Sequence, residues 1–100
     1  MTIGEIAEKT NLTESTLWYY EKKELLKVAR DKNGRRDYEE SDIEWIKFIQ
    51  RLKETGMLLK DIQRYSKLRY EGNHTMPERL KMLEELRQYV LEQKRKWEEY

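Results

Sequence analysis

The stretch TESTLWYYEKKELLKVARDKNGRRDY, residues Thr13 to Tyr38, joins a capped helix to a basic hairpin. Thr13 is a good N-cap, and Glu14 just inside it suits the positive end of a helix dipole, so a helix starts here. On a helical wheel Ser15, Trp18, Tyr19 and Lys22 share one face, while Thr16, Leu17 and Tyr20 share another, which leaves one face free to meet a partner. Val28 to Arg30 and Arg36 to Tyr38 then flank Asn33-Gly34. That dipeptide accepts the positive φ angles of a type I′ turn and predicts a β-hairpin. Between Lys27 and Arg36, the cations Lys27, Arg30, Lys32, Arg35 and Arg36 stand against the single acid Asp31, so the hairpin tip carries a local positive field. A helix with a free face beside a basic hairpin reads as a DNA-reading surface.

Upstream, Thr2-Ile3-Gly4-Glu5 has the pattern of a capping box, with Ile3, Ile6 and Ala7 as the buried stripe of a first helix that ends near Thr10-Asn11. Two short helices joined by so tight a turn predict a helix-turn-helix. Downstream, Leu25 and Leu26 enter the hairpin as core residues. Ser41 with Glu44 repeats the capping-box pattern, and Ile43, Trp45, Ile46, Phe48, Ile49 and Leu52 give a third helix a broad apolar stripe. Gly56 suits the left-handed residue after that helix, and Leu58, Leu59, Ile62 and Tyr65 open a fourth, making a second helix-turn-helix. Lys60, in the first turn of the fourth helix, is grouped with the DNA-facing residues. Gly72-Asn73 breaks the pattern. Thr75 with Glu78 makes a third capping box around Pro77, and a last helix runs to the terminus. Met76, Leu83, Val90 and Trp97 recur in it at intervals of seven, with Leu80 and Leu86 alongside, as in a coiled-coil seam. Arg87 and Lys94 fall in the companion row, where their aliphatic stems can cover such a seam.

The 100 residues include 21 Lys+Arg and 20 Asp+Glu, so bulk charge identifies no partner. With 37% hydrophobic and 41% charged residues the core is modest, and dimerisation would relieve a marginal fold. The absence of cysteine excludes disulfides, thiolate metal sites and thiol redox sensing, and is compatible with a reducing cytoplasm. No long apolar run or leader is visible, so a soluble, cytoplasmic chain is expected. His74 sits in a polar loop without a second His or Cys, so neither metal nor other cofactor is expected. Glu39-Glu40 and Glu84-Glu85 read as helix-surface charge. With no Ser, Cys or His partner constellation around them there is no catalytic unit, and the chain is not expected to be an enzyme.

Thr16-Leu17-Trp18-Tyr19-Tyr20-Glu21, Leu25-Leu26, Gly34-Arg35-Arg36-Asp37-Tyr38, Asp42, Gly56 and Ile62, in this order and spacing, resemble the MerR family of bacterial transcription regulators. The resemblance covers about the first two thirds of the chain. It implies a mainly α fold: a winged helix-turn-helix DNA-binding domain over residues 1–70, with the hairpin as wing and helices three and four as a second wing. A linker over 71–77 and a dimerisation helix over 78–100, forming an antiparallel coiled coil, complete the expectation. It further implies that the second helix enters the major groove, that the dimer sits between two promoter elements and bends and untwists the DNA there, and that RNA polymerase at the promoter is a further partner. Tyr19 is implied as a phosphate contact. The DNA-facing set is then Thr13, Ser15, Thr16, Trp18, Tyr19, Tyr20, Lys22, Arg30, Lys32, Arg35, Arg36, Tyr38 and Lys60. The dimerisation set is Leu80, Leu83, Leu86, Val90 and Trp97. Three departures stand out. Trp18 replaces the family's usual Arg, Leu58 replaces the usual Ser or Thr cap of the fourth helix, and Arg51 takes the place of the cysteine of the aldehyde-responsive branch, so any small-molecule effector is left open.

By itself the basic hairpin reads equally as a loop with solvated charges, and the adjoining helix-turn-helix is what favours DNA. From the residues alone Tyr19 reads equally as an ordinary amphipathic surface residue, and Tyr20 reads as a core residue more than as a contact. Trp18 and Trp45 could line a pocket, although tryptophan at helical spacing is more often packing. The leading expectation is a homodimeric regulator on a pseudo-palindromic promoter site. The alternatives are a DNA-bending accessory factor of the excisionase type, which would protect clustered direct repeats, and a helical protein-interaction module, which would bind no DNA.

Overall fold

The computed structural model describes residues 1–99. The Thr2 cap forms as its sequence requires: the Thr2 hydroxyl accepts the Glu5 amide, and the Glu5 carboxylate accepts the Thr2 amide, each at 3.2 Å, which starts helix α1 (Ile3–Thr10). Asn11, left-handed at φ 57°, ends it, and α2 (Glu14–Lys22) begins at once with the Thr13 hydroxyl accepting the Thr16 amide at 3.1 Å. The end of α2 has no glycine. Glu24 takes φ 62°, a left-handed conformation that costs an ordinary residue about 1 kcal/mol, and the Leu25 amide closes the helix on the Tyr20 carbonyl at 2.9 Å.

Strands β1 (Ala29–Arg30) and β2 (Arg36–Asp37) pair antiparallel with Arg30 opposite Arg36. Their turn is not type I′, because Gly34 has φ 78° while Asn33 is not left-handed. The Gly34 amide reaches the Asp31 carbonyl at 3.0 Å, giving a type I turn followed by a left-handed glycine bulge. Asp31 decides this. Its carboxylate accepts the amides of Asn33 at 2.8 Å and Arg35 at 3.0 Å, so the acid that dilutes the basic tip also builds it.

Helix α3 (Glu40–Glu54) starts two residues earlier than the Ser41 pattern predicts, and Asp42 rather than Glu44 supplies the reciprocal acid, accepting the Glu39 amide at 2.8 Å. Gly56, at φ 85°, takes the left-handed position expected of it, and α4 (Leu59–Glu71) begins at Leu58 with no side-chain cap. A 3₁₀ turn (Asn73–Thr75) leads into α5 (Met76–Glu98), with Pro77 in the first turn. The third capping box does not form. Thr75 is buried and its hydroxyl turns back to the carbonyls of Leu68 and Gly72 at 2.6 and 2.7 Å, while Glu78 pairs with Arg64. The interval 71–77 thus holds the end of α4, the turn and the first residues of α5.

The core collects Ile6, Leu17, Tyr20, Leu25, Leu26 and Tyr38 from the N-terminal half, with Trp45, Ile46, Ile49 and Leu52 of α3 and Ile62 and Tyr65 of α4. Met82 is the buried foot of α5, and Leu83 and Leu86 pack at the edge. The rest of α5 runs outward. The radius of gyration, 15.5 Å, exceeds the ~13 Å of a compact chain of this length because of that projecting helix.

Candidate nucleic-acid interface

The capped start of α2 fixes its rotation, and burial of Leu17 and Tyr20 turns Ser15, Trp18, Tyr19 and Lys22 outward. Trp18 is 48% and Tyr19 39% exposed, which makes this an amphipathic face rather than a purely charged one. The hydroxyls of Thr13 and Thr16 lie 2.9 Å apart and are engaged in the cap. Lys23 and, from α3, Lys53 bring their ammonium groups within 5.9 and 5.3 Å of the Tyr19 ring centroid. Neither lysine is marked by the local sequence pattern. Two residues grouped with the DNA-facing set lie in the core instead: Tyr20 and Tyr38 are each 2% exposed. Burial pushes both phenols above their ordinary pKa, and the Tyr38 hydroxyl has no hydrogen-bond partner among the described residues.

The hairpin is fastened to α2 through one carboxylate. Glu21 accepts Nη2 of Arg30 at 3.1 Å and Nε of Arg36 at 2.7 Å, so two of the basic residues of the wing are turned onto the helix. A glutamate on a helix next to several lysines looks like ordinary surface charge in the sequence; its cross-element role needs the fold. Lys32 and Arg35 stand exposed at the tip without an ion pair among the described residues, and Lys27 is exposed with its ammonium 5.4 Å from the Tyr70 ring centroid. The Met1 ammonium bonds the Asp37 carboxylate at 2.9 Å and the Tyr38 carbonyl at 2.7 Å, tying β2 to the start of α1. The Asp37 bond raises the pKa of this amine above its usual value.

The loop between α2 and the hairpin is held from below by α3 and α4. Both the Trp45 indole N–H, at 2.9 Å, and the Ser66 hydroxyl, at 2.7 Å, donate to the Leu25 carbonyl. Gln63 donates to the Lys23 carbonyl at 2.9 Å, and the Tyr70 hydroxyl accepts the Lys27 amide at 3.1 Å. The second helix pair is therefore a rigid base for the first helix pair and its wing. Lys60 is exposed in the first turn of α4. On α5, Leu80 and Trp97 are 60% and 80% exposed and Val90 is also exposed, whereas Leu83 and Leu86 pack partly on the chain's own core.

Residues 1–68 match the family model of the MerR HTH family regulatory proteins. The chain belongs to the MerR family. An HTH-type transcriptional regulator of Haemophilus influenzae without an assigned role is 40% identical over 84 residues, covering 83% of this MerR chain and 62% of that protein. The HTH-type transcriptional regulator AdhR of Bacillus subtilis is 38% identical over 93 residues, covering 92% of this chain and 66% of AdhR. This chain thus spans just under two thirds of the length of either relative. Among solved structures, a MerR family regulator from Listeria monocytogenes superposes with a TM-score of 0.90 at 27% identity, covering 99% of this chain and 76% of that one. HiNmlR, described as a MerR family regulator lacking the sensor domain and bound to promoter DNA, superposes with a TM-score of 0.87 at 37% identity, covering 99% of this chain and 79% of its own. The winged helix-turn-helix and the long C-terminal helix expected from the sequence are thus the MerR fold. Its members are transcription regulators, not enzymes. No helix among the described residues is long and apolar enough to cross a membrane.

Proposed function

We propose that this MerR chain is a sequence-specific DNA-binding transcription regulator that acts in the cytoplasm as a homodimer on a pseudo-palindromic promoter site and distorts it, with RNA polymerase as a neighbour on that promoter. The observation that carries the reading is the Glu21 lock. It sets the exposed face of α2 and the basic hairpin at a fixed angle, as a helix in a major groove about 12 Å wide and a wing on the flanking backbone require. Ser15, Trp18, Tyr19 and Lys22 face the groove and its rims, and Lys32 and Arg35 meet phosphates. Thr13, Thr16, Arg30 and Arg36 position these groups, and Lys60 offers a further cation. HiNmlR, with the same fold, is bound to promoter DNA, which supports this assignment. The exposed apolar residues Leu80, Val90 and Trp97 support pairing of two copies along α5, since such a stripe on a charged helix is an interaction face.

Selection of binding sites from random duplexes, followed by anisotropy titrations over a range of salt, tests the reading. A two-fold-symmetric site bound with a steep salt dependence is the expected result. Clustered direct repeats would instead indicate an accessory factor, and no binding to any duplex would leave a protein-interaction module.

A further inference from the structure

Where α3, α4 and the start of α5 meet, Trp45, Phe48 and Tyr65 form an aromatic layer. Ring centroids are 5.8 Å apart for Trp45 and Phe48, 6.0 Å for Trp45 and Tyr65, and 5.6 Å for Phe48 and Tyr65. These rings line an open cavity of about 300 Å³ together with Arg51, Arg69, Arg79 and Glu44. Three guanidiniums against one carboxylate leave two positive charges over, and none of the three is ion-paired among the described residues. Two of them are already held in place. The Arg69 guanidinium lies 4.4 Å from the Trp45 ring centroid and 5.1 Å from that of Tyr70; that of Arg79 lies 6.0 Å from the Tyr65 centroid, with its Nε donating to the Thr75 hydroxyl at 3.0 Å. Guanidiniums fixed by ring faces keep their outer N–H groups free to donate, and they lose little freedom when an anion arrives. The ring faces account for the placing of Arg69 and Arg79, and an anion among the three guanidiniums would relieve the repulsion of their like charges.

We propose that this cavity binds a small planar organic anion, a carboxylate or phosphate carried on an aromatic ring. The anionic group sits among Arg51, Arg69 and Arg79, and the ring lies against Phe48, the part-exposed member of the aromatic layer. The volume is at the small end of the ~300–1,000 Å³ range of ligand pockets, which suits a single-ring molecule. The site is built by α3, α4 and α5, not by the α2 face and the hairpin, so it stands whether or not the DNA assignment does. Its occupant would touch all three helices at the point where α5 leaves the body.

Phenyl phosphate is a suitable probe, titrated into the ¹⁵N-labelled full chain while the Trp45 indole N–H and Arg79 Nε–H resonances are followed. Both are expected to move and saturate, with the Trp18 and Trp97 indoles unmoved. Arg51→Gln removes an exposed guanidinium outside the core and should weaken binding about tenfold, as should Arg69→Lys, which keeps the charge and loses the fork. Melting curves of both variants establish that they fold. The proposal is overturned if phenyl phosphate at millimolar concentration leaves both resonances in place, or if the folded variants bind as tightly as the parent. It is also overturned if inorganic phosphate binds as tightly, which would remove the aromatic requirement, or if only duplex DNA moves these signals, which would make the cavity part of the DNA surface.

Discussion

At the scale of single residues, Glu21, Arg35, Arg36 and Tyr38 separate roles that the sequence lumps together. Arg35 is exposed at the wing tip and has no ion pair among the described residues, so Arg35→Ala should weaken binding to specific and unrelated DNA alike and lower the salt slope by about one ion. Arg36 and Glu21 instead share a partly buried pair, so Glu21→Gln should cost about 1–2 kcal/mol in denaturant unfolding and also loosen DNA binding, although it makes the protein more positive. Tighter binding by Glu21→Gln would show that the lock does not position the wing. Tyr38 reads in the sequence as a DNA contact, and the structure buries its hydroxyl without a partner. Tyr38→Phe removes an unsatisfied polar group and should leave DNA affinity unchanged while raising stability by about 1 kcal/mol at neutral pH. The same burial sets an alkaline limit. Tyr20, Tyr38 and Tyr70 all have pKa values raised by burial, so the unfolded chain ionises first, and stability present below pH ~10 falls as pH rises beyond it. Denaturation midpoints at neutral and alkaline pH, compared between the parent and Tyr38→Phe, should show a shallower alkaline loss in the variant.

At the scale of elements, caps explain where the sequence pattern succeeds and fails. Thr2, Thr13 and Gly56 act as their residue types predict, because each end is settled within a few residues. The end of α2 offers no glycine or asparagine, and its left-handed Glu24 is invisible in the sequence because the buried Leu25-Leu26 pair forces that geometry on it. Glu24→Gly should therefore stabilise the chain by about 0.5–1 kcal/mol without altering DNA binding, as a thermal melt would show. Thr75 fails as a cap for the opposite reason: tertiary burial turns its hydroxyl onto the carbonyls of Leu68 in α4 and Gly72 just past its end. The seam of α5 divides as well. Leu83 and Leu86 serve the chain's own core, so the informative substitutions are at Leu80, Val90 and Trp97.

At the scale of the whole molecule, α5 is 23 residues and so ~34 Å long, and it extends a body whose extents with it are 55 × 32 × 20 Å. The proposed antiparallel dimer buries the exposed stripe and holds two reading heads apart across a two-fold axis, which a pseudo-palindromic site would match. Val90→Asp with Trp97→Asp should give a folded monomer with unchanged N-terminal helicity. Its affinity for a full site should fall by at least tenfold, since each half-site supplies only part of the contact energy. Sedimentation analysis decides this: a parent that is monomeric at micromolar concentration, or a double variant that remains dimeric, removes this seam.

Composition, caps and apolar periodicity were enough to determine the helices, the helix-turn-helix, the basic hairpin and, through the spacing of a few motif residues, the family. These features are local, fixed by interactions across a turn or two of backbone. Tertiary structure alone decided that Glu21 fastens the wing, that Tyr38 is core, that Lys53 of α3 reaches the α2 face, and that Arg51, Arg69 and Arg79 share one cavity. Each of these joins side chains from different elements, and a charged or aromatic residue carries no mark in the chain of the distant group it will meet.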